Sequence, residues 1–378
     1  MAENGLILYG VGDVGPIHEP MNIYGHFVRD TLKAGDIRIG QCERLYSNRG
    51  ALQLHSGVHE KPLAESFAEV YTDCGFNVIS LAGNHAMDWG PDALMDTVEM
   101  FKRLGIPTCG AGANIEEARK PVILEKKGVK VAVLAYCSVV LDGYAATAKT
   151  PGLAPLRAHT YYEPMEYQAG MPPRVVTVPN KADLDAMVQD VKAAKKVADV
   201  VVLSMHWGLH FIPRLIADYQ PIMADAAFAA GADLILGHHA HLPKGIEMRQ
   251  GKAVFYSLGN FIMTSNLTKR LMSKEGTGDA ELARKRFARR YNTEVHPDDP
   301  LPYGTDSKRS LIAKAVIGKQ GVQKVSFLPA LIDKQCRPEL LKNGDPRFDD
   351  AVRYMSWASD EMTQKFTVSG DEVIVTPQ

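Results

Sequence analysis

The sequence predicts an α/β protein, a sheet flanked by helices, and three observations carry that expectation. Short β-branched or apolar runs alternate with longer helical patterns through most of the chain. Side chains suited to metal chemistry follow directly after several of those apolar runs. The composition, 46% hydrophobic and 23% charged over 378 residues, is that of a globular chain long enough for one large domain or two ordinary ones.

Taken in order, residues 6–11 read as a first strand and 37–41 as a short apolar run. Residues 64–74 read as a helix, with Phe67, Val70 and Tyr71 spaced to share a face. A strand over 78–82 leads to a helix over 92–104 that starts after Pro91, and 129–136 is another strand. A helix over 181–198, a strand over 200–205, a helix over 221–230 ended by Gly231, and strands over 234–236 and 253–256 follow.

Two stretches break the rhythm. Residues 142–180 are rich in Pro, Gly and Tyr without a clear period, and are expected to form a substrate-side flap. Residues 265–310 begin with helical composition and dense positive charge: Lys269, Arg270, Lys274, Arg284, Lys285, Arg286, Arg289 and Arg290. A solvated helix face or oligomer contact is the first reading of this basic helical insertion, and an anion-binding arm the second. Residues 311–329 look like strands that close the sheet. The expected organisation is a single domain over 1–378 carrying these two insertions.

A net charge of −1 gives no reason to expect nucleic acid as a partner. The five cysteines are scattered, odd in number and form no CxxC pair, which favours free thiols in a reducing compartment. The first residues, MAENGLILYGVGDVG, lack a basic leader pattern, and no apolar run approaches the length of a membrane helix. The expectation is a cytoplasmic chain with a small-molecule or peptide-like substrate and no direct membrane insertion. A homo-oligomer is left open.

The chemistry sits at the predicted strand ends. The first strand runs into Gly12-Asp13, and Glu43 follows the run 37–41. The strand over 78–82 runs into Gly83-Asn84-His85, with Asp88 shortly after. His206-Trp207-Gly208 follows one later strand and Gly237-His238-His239-Ala240-His241 another. Mixed oxygen and imidazole donors favour a transition metal over Ca²⁺, and a carboxylate between two ions can bridge them. The His239–His241 pair after a strand places both rings at one edge. His238, in the variable place between Gly237 and that pair, reads as a packing or supporting residue before a ligand. Trp207 and His210 read equally well as pocket lining or packing. Asp88 either orients His85 or caps the helix that follows, and Asn260 could hold a neighbouring loop.

The segments GDVG, LAGNHAMDWG, SMHWG, GADLILGHHAHLPKGIE and YSLGNFI, with GLAPLR at 152–157, come in the order seen in the calcineurin-like metallophosphoesterases. More closely, they resemble the CapA family, named for poly-γ-glutamate capsule synthesis, from about residue 6 to 263. The resemblance implies a calcineurin-like metallophosphoesterase fold, a four-layer α/β/β/α sandwich with mixed sheets. It implies one or two divalent transition metals (Mn, Zn or Fe), with Asp13 and His241 on the first, Glu43 bridging, and Asn84, His206 and His239 on the second. His85 matches the substrate-side acid. The wider superfamily opens with Asp-x-His, whereas Asp13 is followed by Val14 and Gly15, so the first ion lacks one imidazole. The implied activity is metal-dependent hydrolysis of an ester, phosphoester or amide. A metal-dependent epimerase acting next to a carbonyl, and a non-catalytic accessory of capsule synthesis, are the alternatives.

Overall fold

The computed structural model describes residues 5–54, 56, 60–166, 170–266, 282, 285, 288, 289, 300, 301 and 303–378. Of the basic insertion, Lys269, Arg270, Lys274, Arg284, Arg286 and Arg290 lie outside the described residues.

Two mixed sheets pack face to face. In the first, Thr108–Cys109, Val78–Ser80, Ile37–Cys42 and Leu6–Gly15 run parallel, in that spatial order. Four antiparallel strands continue it: Arg309–Gly318, Gly321–Ile332, Glu372–Thr376 and Lys365–Ser369. The strand Asn260–Met263 lies parallel beside the end of Leu6–Gly15. In the second sheet, Val129–Cys137, Val200–His206, Leu234–His238 and Lys252–Phe255 run parallel between antiparallel edges Val122–Lys126 and Ile246–Arg249.

Strand periodicity accounts for this layering. Along Val129–Cys137, Val131, Val133 and Ala135 face a core shared with the first sheet, while Ala132, Leu134 and Tyr136 face helices Lys181–Lys195 and Tyr219–Ala230. Strands buried on both faces read as continuous apolar runs, which is why these were legible. The sheets touch closely at Gly10, where a Cβ would lie 2.5 Å from Leu236 Cδ1. The helices Gly90–Arg103 and Pro346–Ala358 add apolar side chains to the core of the first sheet. Two sheets with helices outside match the expected sandwich better than a lone sheet between helices.

Two local expectations need correction, and one helix goes beyond them. Residues 64–74 form a 3-10 turn, Glu65–Ala68, before a short α-helix, Glu69–Asp73. The segment 142–180 is not structureless: Ala158–Glu163 and Arg174–Pro179 pair as an antiparallel hairpin, with its alternation hidden because Tyr161, Tyr162 and Val175 are all exposed. The C-terminal helix Pro346–Ala358, capped by Asp345 accepting from the Arg347 N–H, was not anticipated.

Lys244 is fully buried, and its Nζ donates to the Leu215 carbonyl at 2.5 Å. Burial pushes its ammonium down to about 7. The unfolded chain keeps that proton to about pH 10.4, so the folded state binds fewer protons between about 7 and 10 and gains stability as pH rises through that window. Lys244→Met is therefore expected to flatten this rise. Thermal unfolding of both proteins from about pH 6 to 9.5 checks it; equal slopes would contradict it.

Candidate metal centre

The parallel strands of both sheets end at one edge, the usual place for a site in α/β folds. Asp13 lies within Leu6–Gly15, and its N–H donates to the Gly259 carbonyl at 3.0 Å. Glu43 follows Ile37–Cys42, and Asn84 stands in the loop after Val78–Ser80. His206 and His238 are the last residues of neighbouring strands and are partners in register. His239 and His241 have φ of 84° and 58°, a left-handed backbone that non-glycine residues adopt at a cost of about 1–3 kcal/mol. The chain pays that cost where it turns both rings toward Asp13 and His206.

The six residues proposed as ligands from sequence converge. Ligand atoms of Asp13, Glu43 and His206 all lie within 4.8 Å of one another, a group that could hold a metal ion. Asp13 Oδ2 is 3.4 Å from His241 Nδ1, and Glu43 Oε1 is 4.0 Å from His241 Nε2. Asn84 Oδ1 lies 2.7 Å from His206 Nε2, and His206 Nε2 lies 3.2 Å from His239 Nδ1. Asp13 is 0% and Glu43 1% exposed, yet none of their four carboxylate oxygens has a hydrogen-bond partner. Buried carboxylates are costly unless paired or coordinated, so this pair fits a divalent cation.

The electrostatics agree. Burial, then the charge of Glu43, pushes the Asp13 carboxyl well above its usual range, with the His239 backbone amide acting in the opposite sense. Burial also raises Glu43, against the opposing influence of His85 and Arg44. Burial and neighbouring imidazoles drive His206 and His239 well below the ordinary histidine value, and burial takes His241 to about 4. All three rings are thus neutral at pH 7, the form a metal takes.

The supporting residues sort clearly. His85 Nδ1 lies 2.8 Å from Asp88 Oδ2, and the Tyr144 hydroxyl donates to Asp88 Oδ1 at 3.0 Å. Burial opposes the imidazolium of His85, but the Asp88 hydrogen bond and the Glu43 charge raise its pKa overall. Of the two roles expected for Asp88, the structure selects the first: it orients His85, while Trp89 occupies the helix N-cap. Asn260 grips His241 twice, Oδ1 lying 2.8 Å from the ring Nδ1 and Nδ2 donating to the His241 carbonyl at 3.0 Å. That leaves His241 Nε2 facing Glu43. His238 sits behind Asp13, its Nδ1 3.8 Å from Oδ1, with burial pushing its ring to about 3.

Of the two readings of Trp207, pocket lining and packing, the structure selects packing. Consecutive strand residues point to opposite faces, so with His206 in the site Trp207 lies in the helix-side core, stacked on Tyr256 and donating to its carbonyl at 3.0 Å. Cys42 also stays out of the site, its thiol bonded to the Arg44 carbonyl.

Other residues escaped the sequence. His210, weighed only as pocket lining or packing, stacks on His239 at 3.7 Å between ring centroids. Tyr303 stacks on His241 at 5.3 Å and Phe211 on the same ring at 5.4 Å. Tyr144 sits in the segment read as a flap, where nothing local marks it as a partner for Asp88. Arg44 was passed over beside Glu43.

The family described as Bacterial capsule synthesis protein PGA_cap matches residues 10–265. The chain belongs to this family. It is 30% identical over 293 residues to the PGA biosynthesis protein CapA of Bacillus subtilis, covering 74% of this chain and 67% of that protein. Against the capsule biosynthesis protein CapA of Bacillus anthracis it is 29% identical over 271 residues, 68% of this chain and 60% of the relative. A probable polyglutamine synthesis accessory protein of Mycobacterium tuberculosis is 30% identical over 195 residues, 49% of this chain and 45% of the relative. Among solved structures, a putative 5'-nucleotidase from Staphylococcus aureus aligns at TM-score 0.46 and 14% identity, over 96% of this chain and 59% of that one. That superposition is too loose to carry an argument. The matched PGA_cap region, 10–265, contains all six proposed ligands and His85 but stops before Tyr303 and the antiparallel half of the first sheet. No helix among the described residues is long and apolar enough to cross a membrane.

Proposed function

We propose that this PGA_cap protein is a metal-dependent hydrolase acting on an ester, phosphoester or amide. One observation carries the reading: two fully buried carboxylates, Asp13 and Glu43, have no well-formed hydrogen bond, with only the His239 backbone amide acting on Asp13, and stand beside neutral imidazoles. Asp13 and His241 would hold one ion, Asn84, His206 and His239 a second, with Glu43 between them. A bound transition metal supplies Lewis acidity and lowers the pKa of water there. Around it, Asn260 holds the His241 ring with Nε2 inward, and Asp88 holds His85 with Nε2 toward Asn84. In this reading Asp88 stabilises the His85 imidazolium, which gives its Nε2 proton to the leaving group and becomes a neutral ring that still donates from Nδ1 to Asp88.

Metal content after loading with Mn²⁺, Zn²⁺ or Fe²⁺ tests the site, with about 1 equivalent or more expected. A screen of phosphoesters, carboxyl esters and γ-glutamyl amides, with and without chelator, tests the chemistry. A protein that takes up none of these metals at saturation ends the proposal. Uptake of solvent deuterium without bond cleavage would instead indicate epimerisation.

The accessory reading has its own support, in the names of the capsule-synthesis family and the accessory relative. A metal-loaded protein that cleaves nothing in the screen and co-purifies with a polymer-synthesising ligase would favour it.

A further inference from the structure

We infer that Arg44 forms an anion subsite beside the metal centre, so that the substrate carries a carboxylate or phosphate oxygen next to the reacting bond. The inference rests on the metal-site reading above and deepens it to a substrate class.

Arg44 is placed by the main chain. Its Nε donates to the Gly15 carbonyl at 3.2 Å and its Nη2 to the Thr264 carbonyl at 2.8 Å, at the end of Asp13's own strand and just after the paired strand Asn260–Met263. Gly15 makes room for it, since a Cβ there would lie 2.8 Å from Arg44 Cγ. No carboxylate among the described residues lies within ion-pair distance of the guanidinium, although Glu43 is its chain neighbour. Arg44 nevertheless lines one narrow cleft with Glu43, His85, Asp88, Glu60 and Lys61. Its charge is felt at Glu43, His85 and His241.

Its placement gives the guanidinium its role: it lines the cleft beside Glu43 and His85 while its Nε and Nη2 are held by main-chain carbonyls. A guanidinium braced by two carbonyls, with an Nη1 that bonds no described residue, presents planar donors that suit the oxygens of carboxylate or phosphate. The cleft encloses only about 20 Å³, room for one such oxygen while the rest of the ligand lies over the metal centre.

Two probes separate the sources of that anion: inorganic phosphate and glutarate, titrated calorimetrically into the Mn²⁺-loaded full chain. Wild type is expected to bind at least one, and Arg44→Gln to bind it about 10- to 100-fold more weakly with unchanged metal content. Arg44→Lys keeps the charge but loses the fork and should fall between them. If Arg44→Gln fails to fold or load metal, Arg44→Lys decides alone, with a loss of about fivefold expected. Affinity within about twofold of wild type for both probes, or a loaded wild type that binds neither, overturns the inference. Arg44-dependent binding in a protein that cleaves nothing would sink hydrolysis but keep the subsite; turnover with Arg44-independent binding would do the reverse.

Discussion

Asp13→Asn is expected to stabilise the metal-free protein and to weaken its metal binding by more than about 100-fold. The two effects share one cause. Without an ion, folding carries two carboxylates into the interior with no well-formed hydrogen bond to any of their oxygens. Such a group either stays ionised at a cost of several kcal/mol or keeps its proton, and burial together with Glu43 pushes Asp13 strongly toward the second. The folded pKa values of both Asp13 and Glu43 are raised above their unfolded ones, so between those values the folded state holds more protons. Metal-free stability should therefore fall as pH rises from about 4 toward neutrality. Replacing Asp13 by Asn removes the charge but keeps the shape, reducing that slope and raising the melting temperature by about 2–5 °C at pH 7. A saturating divalent ion should reverse the order, because the wild type gains about 2.7 kcal/mol at 100-fold excess over Kd while the variant gains little. Calorimetric melting of both proteins with and without metal checks this crossover. Destabilisation of Asp13→Asn in the metal-free state would show that the carboxylate has a structural partner.

His85→Asn should leave metal content unchanged and lower kcat by about 10²- to 10⁴-fold on a substrate with a poor leaving group. His85 is not among the six proposed ligands, and it is held from behind by Asp88 and, through Asp88, by Tyr144. Its loss removes a proton donor and leaves the cation's chemistry in place, so a substrate with a good leaving group should suffer far less. Kinetics on a matched pair of esters, with metal analysis of the same samples, distinguishes this from simple loss of the site. An equal loss on both substrates would make His85 a positioning group for Asn84, whose Nδ2 lies 3.3 Å from His85 Nε2.

The six proposed ligands and His85 were legible because each follows an apolar run, and parallel strands end on the same side. Once 6–11, 78–82, 200–205 and 234–236 are read as strands, Asp13, Asn84, His206 and the His239–His241 pair have one edge to occupy. Trp207 stayed undecided between pocket and core because strand alternation separates it from its neighbour His206, a distinction that motif order does not carry. The hairpin in 142–180 escaped because Ala158–Glu163 is exposed on both faces and Arg174–Pro179 is half-buried over consecutive residues, so neither strand shows the alternation that marks a half-buried strand.

The sequence by itself determined the fold class, the strand ends that carry chemistry, and the residue types gathered there, because hydrophobic period and local motif are properties of neighbouring residues. Only the tertiary structure decided which buried polar atoms go without a well-formed hydrogen bond, that Asp88 turns to His85 and takes the Tyr144 hydroxyl, and that Arg44 lies braced with no carboxylate among the described residues in ion-pair reach. Those outcomes depend on groups far apart in the chain meeting in a buried space, where desolvation makes each missing or present partner count.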